Sequence, residues 1–336
     1  MHRVLHVRAN VSRNSNRGFT GSMMATGKNF AIGIDLGGTN MRIALVSREG
    51  QLISKIKEPT SGEILDILLK SVNELFSDDI AGICIGIAGL IDRQQGKILV
   101  SPNLHAVETV DFVKAFEKKF GVPVFLENDA NAAAFGEQWV GIGKNFSNFV
   151  LLTLGTGIGG GIVYDKKLLR VSSEIGHMSI DITGEKCPCG NSGCLETYAS
   201  ARALLSKAIS FLEDGRESLL TEYCGGTFYK LTAEDINRAA LDGDNLAREL
   251  LKDTGRYLGI GIANIINIMS PEAVILSGGL IGAWDIYIQE AIKEASRRSL
   301  KELFDMVRIV PSSLLDNAGI IGAAGLAFQL LAEGDR

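Results

Sequence analysis

The stretch FAIGIDLGGTNMRIALVS, residues 30–47, decides how the rest of the chain is read. Ala31 to Asp35 has the pattern of a strand, Gly37-Gly38 that of a turn, and Met41 to Ser47 that of the returning strand. Paired glycines between two strand patterns mark a hairpin. The same order recurs in FVLLTLGTGIGGGIVY, residues 149–164. There Phe149 to Leu154 is the strand, Gly155-Thr156-Gly157 the turn and Gly160 to Tyr164 the return. A chain whose halves each open with strand, glycine-and-threonine turn and strand is expected to hold two related α/β domains facing each other.

Outward from the first hairpin, helices are expected around Glu63 to Phe76, Val110 to Phe120 and Ala130 to Trp139, with strands at Gly82 to Ile87 and Val122 to Leu126. Beyond the second hairpin a loop-rich cysteine segment comes first. It gives way to helices near Ser200 to Glu213, Ala233 to Ala240 and Asn245 to Asn267. A strand at Ala273 to Leu276 ends in Gly278-Gly279, and a last helix, Gly319 to Leu331, is rich in Ala and Gly and suits close packing. Gly141 and Gly143 soften the chain, which places the boundary near Trp139 to Phe146: one domain over 29–139, the other over 140–318.

Composition agrees with two soluble domains. The chain has 336 residues, 46% of them apolar and 22% charged, enough for sizeable cores under an ordinary surface. Its 34 basic and 39 acidic side chains leave a net charge of −5, which argues against a nucleic-acid-binding surface spread over the molecule. No uninterrupted apolar run reaches the ~18 residues of a membrane helix, so no membrane partner is expected. Residues 1–28 are of another kind: Arg3, Arg8, Arg13, Arg17 and Lys28 are basic, acids are absent and hydrophobic periodicity is missing. Three readings compete for this leader. They are a transit peptide, an added expression leader, and an upstream extension of a gene that starts at Met23 or Met24. The last two are preferred, and the missing apolar core argues against a secretory signal.

The string LGTGIGG contains GxGxxG, but a dinucleotide site needs a helix next. Here Gly161 to Tyr164 continues as strand, so that reading is rejected, and no GxxxxGK[ST] P-loop exists. Glycine-rich turns can still hold phosphate through bare backbone N–H groups. Two of them, Gly37-Gly38-Thr39 and Gly155-Thr156-Gly157, could grip phosphates, or could be no more than tight hairpins. Asn128-Asp129 lies between a strand and a helix. It is either an N-cap or a general base at the carboxyl end of a strand, kept ionised by the helix N-terminus and able to accept a hydroxyl proton.

The most specific signal is the cysteine segment. Glu174-Ile175-Gly176-His177 is followed by Cys187, Cys189 and Cys194, three of the five cysteines in the chain. Three thiols and one imidazole make a closed tetrahedral zinc site, with His177 as the natural fourth ligand and no position left for a catalytic water. Such a zinc would be structural, fixing a loop that carries Glu174 and Glu196. The alternative is a cluster of buried or reactive thiols.

These residues resemble the ROK family of bacterial glucokinases, other hexose and N-acetylhexosamine kinases, and sugar-responsive repressors. The resemblance runs from about Phe30 to Leu331. It rests on EIGHM with CPCGNSGCLE, on DLGGT and LGTGIGGG, and on ENDANAAAFGE. It implies an actin-like, ribonuclease-H-like α/β fold of two domains with an interdomain cleft, in which the last helix, 319–331, completes the N-terminal domain. By position it implies that Asp129 receives the proton of the sugar 6-hydroxyl. Asn103, Asn128, Glu174, His177 and Glu196 would bind the other hydroxyls. His177 would use one ring nitrogen on zinc and the other toward the sugar. Gly37, Gly38, Thr39, Gly155, Thr156, Gly157 and Gly279 would line ATP, and Asp35 would hold Mg²⁺, through water. Ser101-Pro102-Asn103-Leu104 looks most like the glucokinases of the family, so glucose is the expected substrate and an N-acetylhexosamine the alternative. The family's regulators carry a helix-turn-helix domain that the leader is too short to supply. A cytoplasmic homodimer or homotetramer is implied by the same resemblance.

A chain beginning at Met24 is expected to melt at the same temperature as the full chain and to keep its activity. Lost solubility or activity on that truncation would make the leader part of the structure.

Overall fold

The computed structural model describes residues 27–101 and 104–334, so the leader up to residue 26 and Asn103 lie outside the described residues. The chain groups into two compact units. One contains the residues through Asn145, Lys166–Ser172 and those from Asp316 onward; the other contains Phe146–Asp165 and Ser173–Leu315.

The first unit runs β1 (Phe30–Leu36), β2 (Asn40–Ser47), β3 (Leu52–Pro59), α1 (Ile64–Leu75), β4 (Ile80–Ile87), a small hairpin of β5 (Leu90–Asp92) and β6 (Lys97–Val100), α2 (Phe112–Phe120), β7 (Val124–Asn128) and α3 (Asp129–Trp139). Its sheet has the order β3-β2-β1-β4-β7. The hairpin β1–β2 is antiparallel, with Asp35 opposite Arg42, while β1–β4 and β4–β7 are parallel. Every residue of β4 is buried, as expected of a strand covered on both faces.

After β8 (Phe149–Leu154), β9 (Ile158–Tyr164) and β10 (Lys167–Leu168) come helices α4 (Glu196–Ala199), α5 (Ala201–Glu213), α6 (Leu220–Tyr223), α7 (Ala233–Leu241) and α8 (Asn245–Met269). The strand β11 (Ala273–Ser277), α9 (Gln289–Arg298), α10 (Lys301–Met306) and β12 (Arg308–Pro311) follow, and the final helix α11 (Ala318–Glu333) groups with the first unit. The second sheet has the order β10-β9-β8-β11-β12. Again the opening hairpin is antiparallel and the two later strands join in parallel. The echo between the two hairpins in the sequence is therefore the start of a repeated five-strand topology.

Of the strands that the sequence pattern did not mark, β3, β10 and β12 are edges of their sheets, and β3 and β12 are the longer ones. They carry Lys55, Lys57 and Glu58, and Arg308 and Pro311. Charge and proline blunt exposed edges against pairing, and they also erase the apolar run that would reveal a strand. A single boundary near 139–146 does not provide for Lys166–Ser172, which groups with the first unit. Side-chain bonds hold it there: Asn131 Nδ2 donates to Val171 O at 3.1 Å and Arg170 Nε donates to Glu127 at 3.2 Å.

The Ala- and Gly-rich composition of α11 has a geometric cause. A Cβ on Gly33 of β1 would lie 1.9 Å from Ile320 O, and one on Gly322 would lie 1.7 Å from Ala132 O of α3. A Cβ on Gly136 of α3 would also clash, 2.5 Å from Ala318 O. The helix is apolar and long enough to pass for a membrane span by composition, and here its apolar residues are buried against the sheet and α3 of the first unit.

Gly322→Ala is expected to destabilise the protein by about 1–3 kcal/mol or more despite alanine's better helix propensity, because backbone rather than a movable side chain is in the way. Gly282→Ala, where a Cβ meets nothing within 4 Å, should stay within about 0.5 kcal/mol of the wild type. Chemical denaturation of both variants checks the pair.

Candidate active site and metal centre

In the first unit the chemistry gathers at the carboxyl ends of β1 and β7. Asn128 ends β7 and caps α3, its side-chain oxygen accepting from Ala130 N at 2.9 Å and Asn131 N at 3.1 Å. The capping alternative thus belongs to Asn128. Its amide nitrogen donates to Gly89 O at 3.3 Å. Asp129 is the first helical residue, half-buried, and its Oδ1 accepts from Ala130 N at 2.9 Å. A helix N-terminus favours negative charge at that position.

Beneath this corner lies a residue that the sequence pattern did not single out. Glu127 is fully buried. Its carboxylate accepts from Arg93 Nε at 3.0 and 2.9 Å and from Arg170 Nε at 3.2 Å. It also accepts from Asn131 Nδ2 at 3.1 Å and from Asn128 N at 2.9 Å. Burial alone would raise its pKa; the Arg93 contacts, with Asn131 and the Asn128 N–H, outweigh it and hold the carboxyl below its usual range. Removing one partner from such a buried pair costs roughly 3–5 kcal/mol. An acid closing the apolar strand VFLE was the available signal.

At the end of β1, Asp35 accepts from Arg42 Nη1 at 3.0 Å, and Arg42 also approaches Asp316 at 3.8 Å. Burial pushes the Asp35 carboxyl above its usual range and Arg42 only partly offsets this, so a further cation beside it would be welcome. The adjoining turn closes through Gly37 N to Asn40 O at 3.2 Å and is pinned by Thr60 Oγ1 donating to Gly37 O at 2.7 Å. Gly38 and Thr39 form its exposed tip.

In the second unit the turn Gly155-Thr156-Gly157 closes through Gly155 N to Gly157 O at 3.0 Å. Gly278 has φ of +95° and packs so closely on Leu154 that a Cβ would lie 2.4 Å from its carbonyl oxygen. That contact brings Gly279 beside the Gly155 turn. A Cβ on Gly155 or Gly279 would meet nothing within 4 Å, so both border open space.

On the other side of this turn stands Glu196, the first residue of α4. Its Oε2 accepts from Ile158 N at 3.4 Å and would lie 2.6 Å from a Cβ on Gly157. Its Oε1 lies 3.8 Å from Cys187 Sγ and 3.9 Å from His177 Nδ1. Gly176 lets the Glu174–His177 turn sit against Ile158, whose carbonyl oxygen would be 2.2 Å from a Cβ there. Glu174, His177, Glu196 and the turn are therefore one assembly.

The ligand atoms of His177, Cys187, Cys189 and Cys194 all lie within 4.8 Å of one another. Cys189 and Cys194 sulfurs are 3.7 Å apart, as are Cys187 Sγ and His177 Nδ1. A tetrahedron with metal–sulfur bonds of about 2.3 Å has edges of about 3.8 Å, so the donor set fits a divalent metal such as zinc. Nδ1 faces the thiols while Nε2 points toward Glu174, 3.9 Å away. Burial, then the neighbouring thiols, push the Cys194 thiol up to about 12; a bound dication reverses this by coordinating the thiolate. The loop is braced independently by Cys187 N to Asn191 O at 2.9 Å and by Tyr198, whose hydroxyl accepts from Glu185 N at 2.8 Å.

The sequence profile of the ROK family matches residues 31–330. The chain belongs to the ROK family. Among its ROK relatives, the glucokinase of Thermotoga maritima is 34% identical over 88% of this chain and 96% of the relative. The xylose repressor of Bacillus subtilis is 35% identical over 89% of this chain and 77% of the relative. A crystal structure of a ROK family glucokinase from Streptomyces griseus, in complex with glucose and AMPPNP, superposes with a TM-score of 0.81 at 32% identity, covering 89% of this chain and 99% of that one. The fold is thus the actin-like two-domain kinase fold of the ROK proteins. Catalytic and repressor relatives are about equally similar in sequence.

Purified protein is expected to carry one zinc per chain by elemental analysis. Cys189→Ser should lower that content and the melting temperature, since structural zinc in small peptides contributes on the order of 10 kcal/mol of apparent binding energy. Full activity in strong chelator with no zinc found would remove the metal centre.

Proposed function

We propose that this chain is an ATP-dependent glucokinase that transfers the γ-phosphoryl group of ATP to the 6-hydroxyl of glucose. The observation that carries the reading is the corner at Asn128 and Asp129. Asn128 performs the capping, and Asp129 presents a carboxylate on the first turn of α3 at the carboxyl end of a parallel strand, where ligands of open α/β sheets bind. The 6-hydroxyl oxygen bonds to the γ-phosphorus, its proton passes to Asp129, and the bond to the bridging oxygen breaks to release ADP. Phosphoryl transfer asks for positioning and charge stabilisation more than for covalent chemistry, so one base and phosphate-binding turns suffice.

The open glycines at Gly155 and Gly279, with Thr156 and Gly157, support binding of the ATP phosphates, as does the exposed tip of Gly37-Gly38-Thr39. Mg²⁺, held from Asp35 through water, would shield the phosphate charge. Asn103, Asn128, Glu174, His177 and Glu196 are assigned to the sugar by resemblance, and the zinc-braced loop is assigned to hold the last three. A cytoplasmic setting suits the reduced thiols of such a centre. An N-acetylhexosamine is the alternative substrate. The similarity to xylose repressors supports a second reading, a sugar-responsive regulator that binds sugar without turnover.

Asp129→Asn keeps size but cannot take up a proton. General-base contributions are about 10²–10⁴-fold, so kcat for glucose should fall at least about a hundredfold while calorimetry still detects glucose binding. A variant within about tenfold of wild type would assign the base elsewhere. Wild-type protein that binds glucose, N-acetylglucosamine or xylose but phosphorylates none of them would favour the regulator.

A further inference from the structure

We propose that Glu127 is a positioning residue for phosphoryl transfer: clamped by Arg93 and Arg170, its carboxylate sets the corner from which Asn128 and Asp129 are presented. The proposal rests on the reading of Asp129 as the base. Three features carry it. Glu127 is the residue immediately before the Asn128-Asp129 pair and is fully buried, so its direction is fixed by packing. One of its oxygens receives Asn128 N at 2.9 Å and Asn131 Nδ2 at 3.1 Å. It thereby holds both the last residue of β7 and the first turn of α3, with Asp129 between them. The carboxylate is in turn held from two directions by guanidinium groups.

Those two arginines come from distant parts of the first unit. Arg93 follows β5, whose neighbour Gly89 receives the amide of Asn128 at 3.3 Å. Arg170 lies in the stretch Lys166–Ser172, which leads by chain connection into Glu174. A fork of N–H donors on each arginine fixes direction as well as distance. A displacement of about 1 Å at a reacting group can cost on the order of a hundredfold in rate. A buried, doubly clamped carboxylate one residue from the base is placed to prevent such a displacement. Structural ballast alone would not require its contacts to converge on Asn128 and Asn131, on either side of Asp129.

The test is a double-mutant cycle read in kcat for glucose phosphorylation, with the KM for ATP and the folded fraction recorded for each protein. Glu127→Gln preserves shape and is expected to lower kcat about ten- to a hundredfold, with the KM for ATP moving less than about threefold. In an Asp129→Asn background the same change should cost less than about threefold, because no base remains to be aimed. An equal loss in both backgrounds would mark general damage and overturn the proposal. So would a Glu127→Gln kcat within about threefold of wild type while Asp129→Asn is crippled. An active Asp129→Asn would remove the base reading and this proposal with it, and is told apart by that variant alone. Should Glu127→Gln fail to fold, Arg170→Gln carries the same cycle from a partly exposed side chain. A loss that largely vanishes beside Asp129→Asn supports the proposal, and an equal loss or none overturns it.

Discussion

Backbone contact between α11 and the first sheet is the constraint on which the first unit depends. Gly33 admits the carbonyl of Ile320 to the face of β1, and Gly322 admits that of Ala132. Side chains at those points would push α11 off the sheet and off α3 by more than a packed interior can absorb. Because α11 lies this close, its N-terminal end reaches Asp35: a Cβ on Gly319 would lie 3.5 Å from the Asp35 carboxyl carbon. The residues entering the helix are tied down as well, with Lys55 Nζ donating to Asn317 at 2.8 Å. A packing requirement thus fixes the surroundings of a candidate metal-holding carboxylate.

The second unit solves a similar problem with polar groups. Gly176 and Gly157 give up side chains so that the Glu174–His177 turn and Glu196 can approach the start of β9. Glu196 then touches both the glycine turn and the thiol–imidazole cluster. Between its apolar anchors, Ile175, Met178, Ile180 and Leu195, the loop has little core of its own. The Tyr198 contact to Glu185 braces it, and a metal held by His177, Cys187, Cys189 and Cys194 would add a second brace.

Within each unit the candidate groups are brought together by strand ends. Asp35 lies one residue before the end of β1 and Asp129 opens the helix after β7; Gly155 and Gly279 follow β8 and β11. Parallel neighbours in a sheet present their carboxyl ends on one side, so residues far apart in the chain meet there without any long loop. The hairpin repeated in both halves places a glycine turn at the same point of each sheet.

The sequence by itself determined the strongly periodic elements, the two hairpins and the cysteine–histidine set, because strand alternation, paired glycines and metal-ligand chemistry are local properties of neighbouring residues. It also marked Asn128-Asp129, though capping and catalysis ask for the same residue types at a helix start. Only the tertiary structure gave the cap to Asn128. Edge strands β3 and β12 were illegible because the charges that protect an edge hide its pattern. Glu127 escaped notice because a buried carboxylate is stable only with partners, and Arg93 and Arg170 lie 34 and 43 residues away in sequence. Pairings of that range are made by the fold, and no local periodicity encodes them.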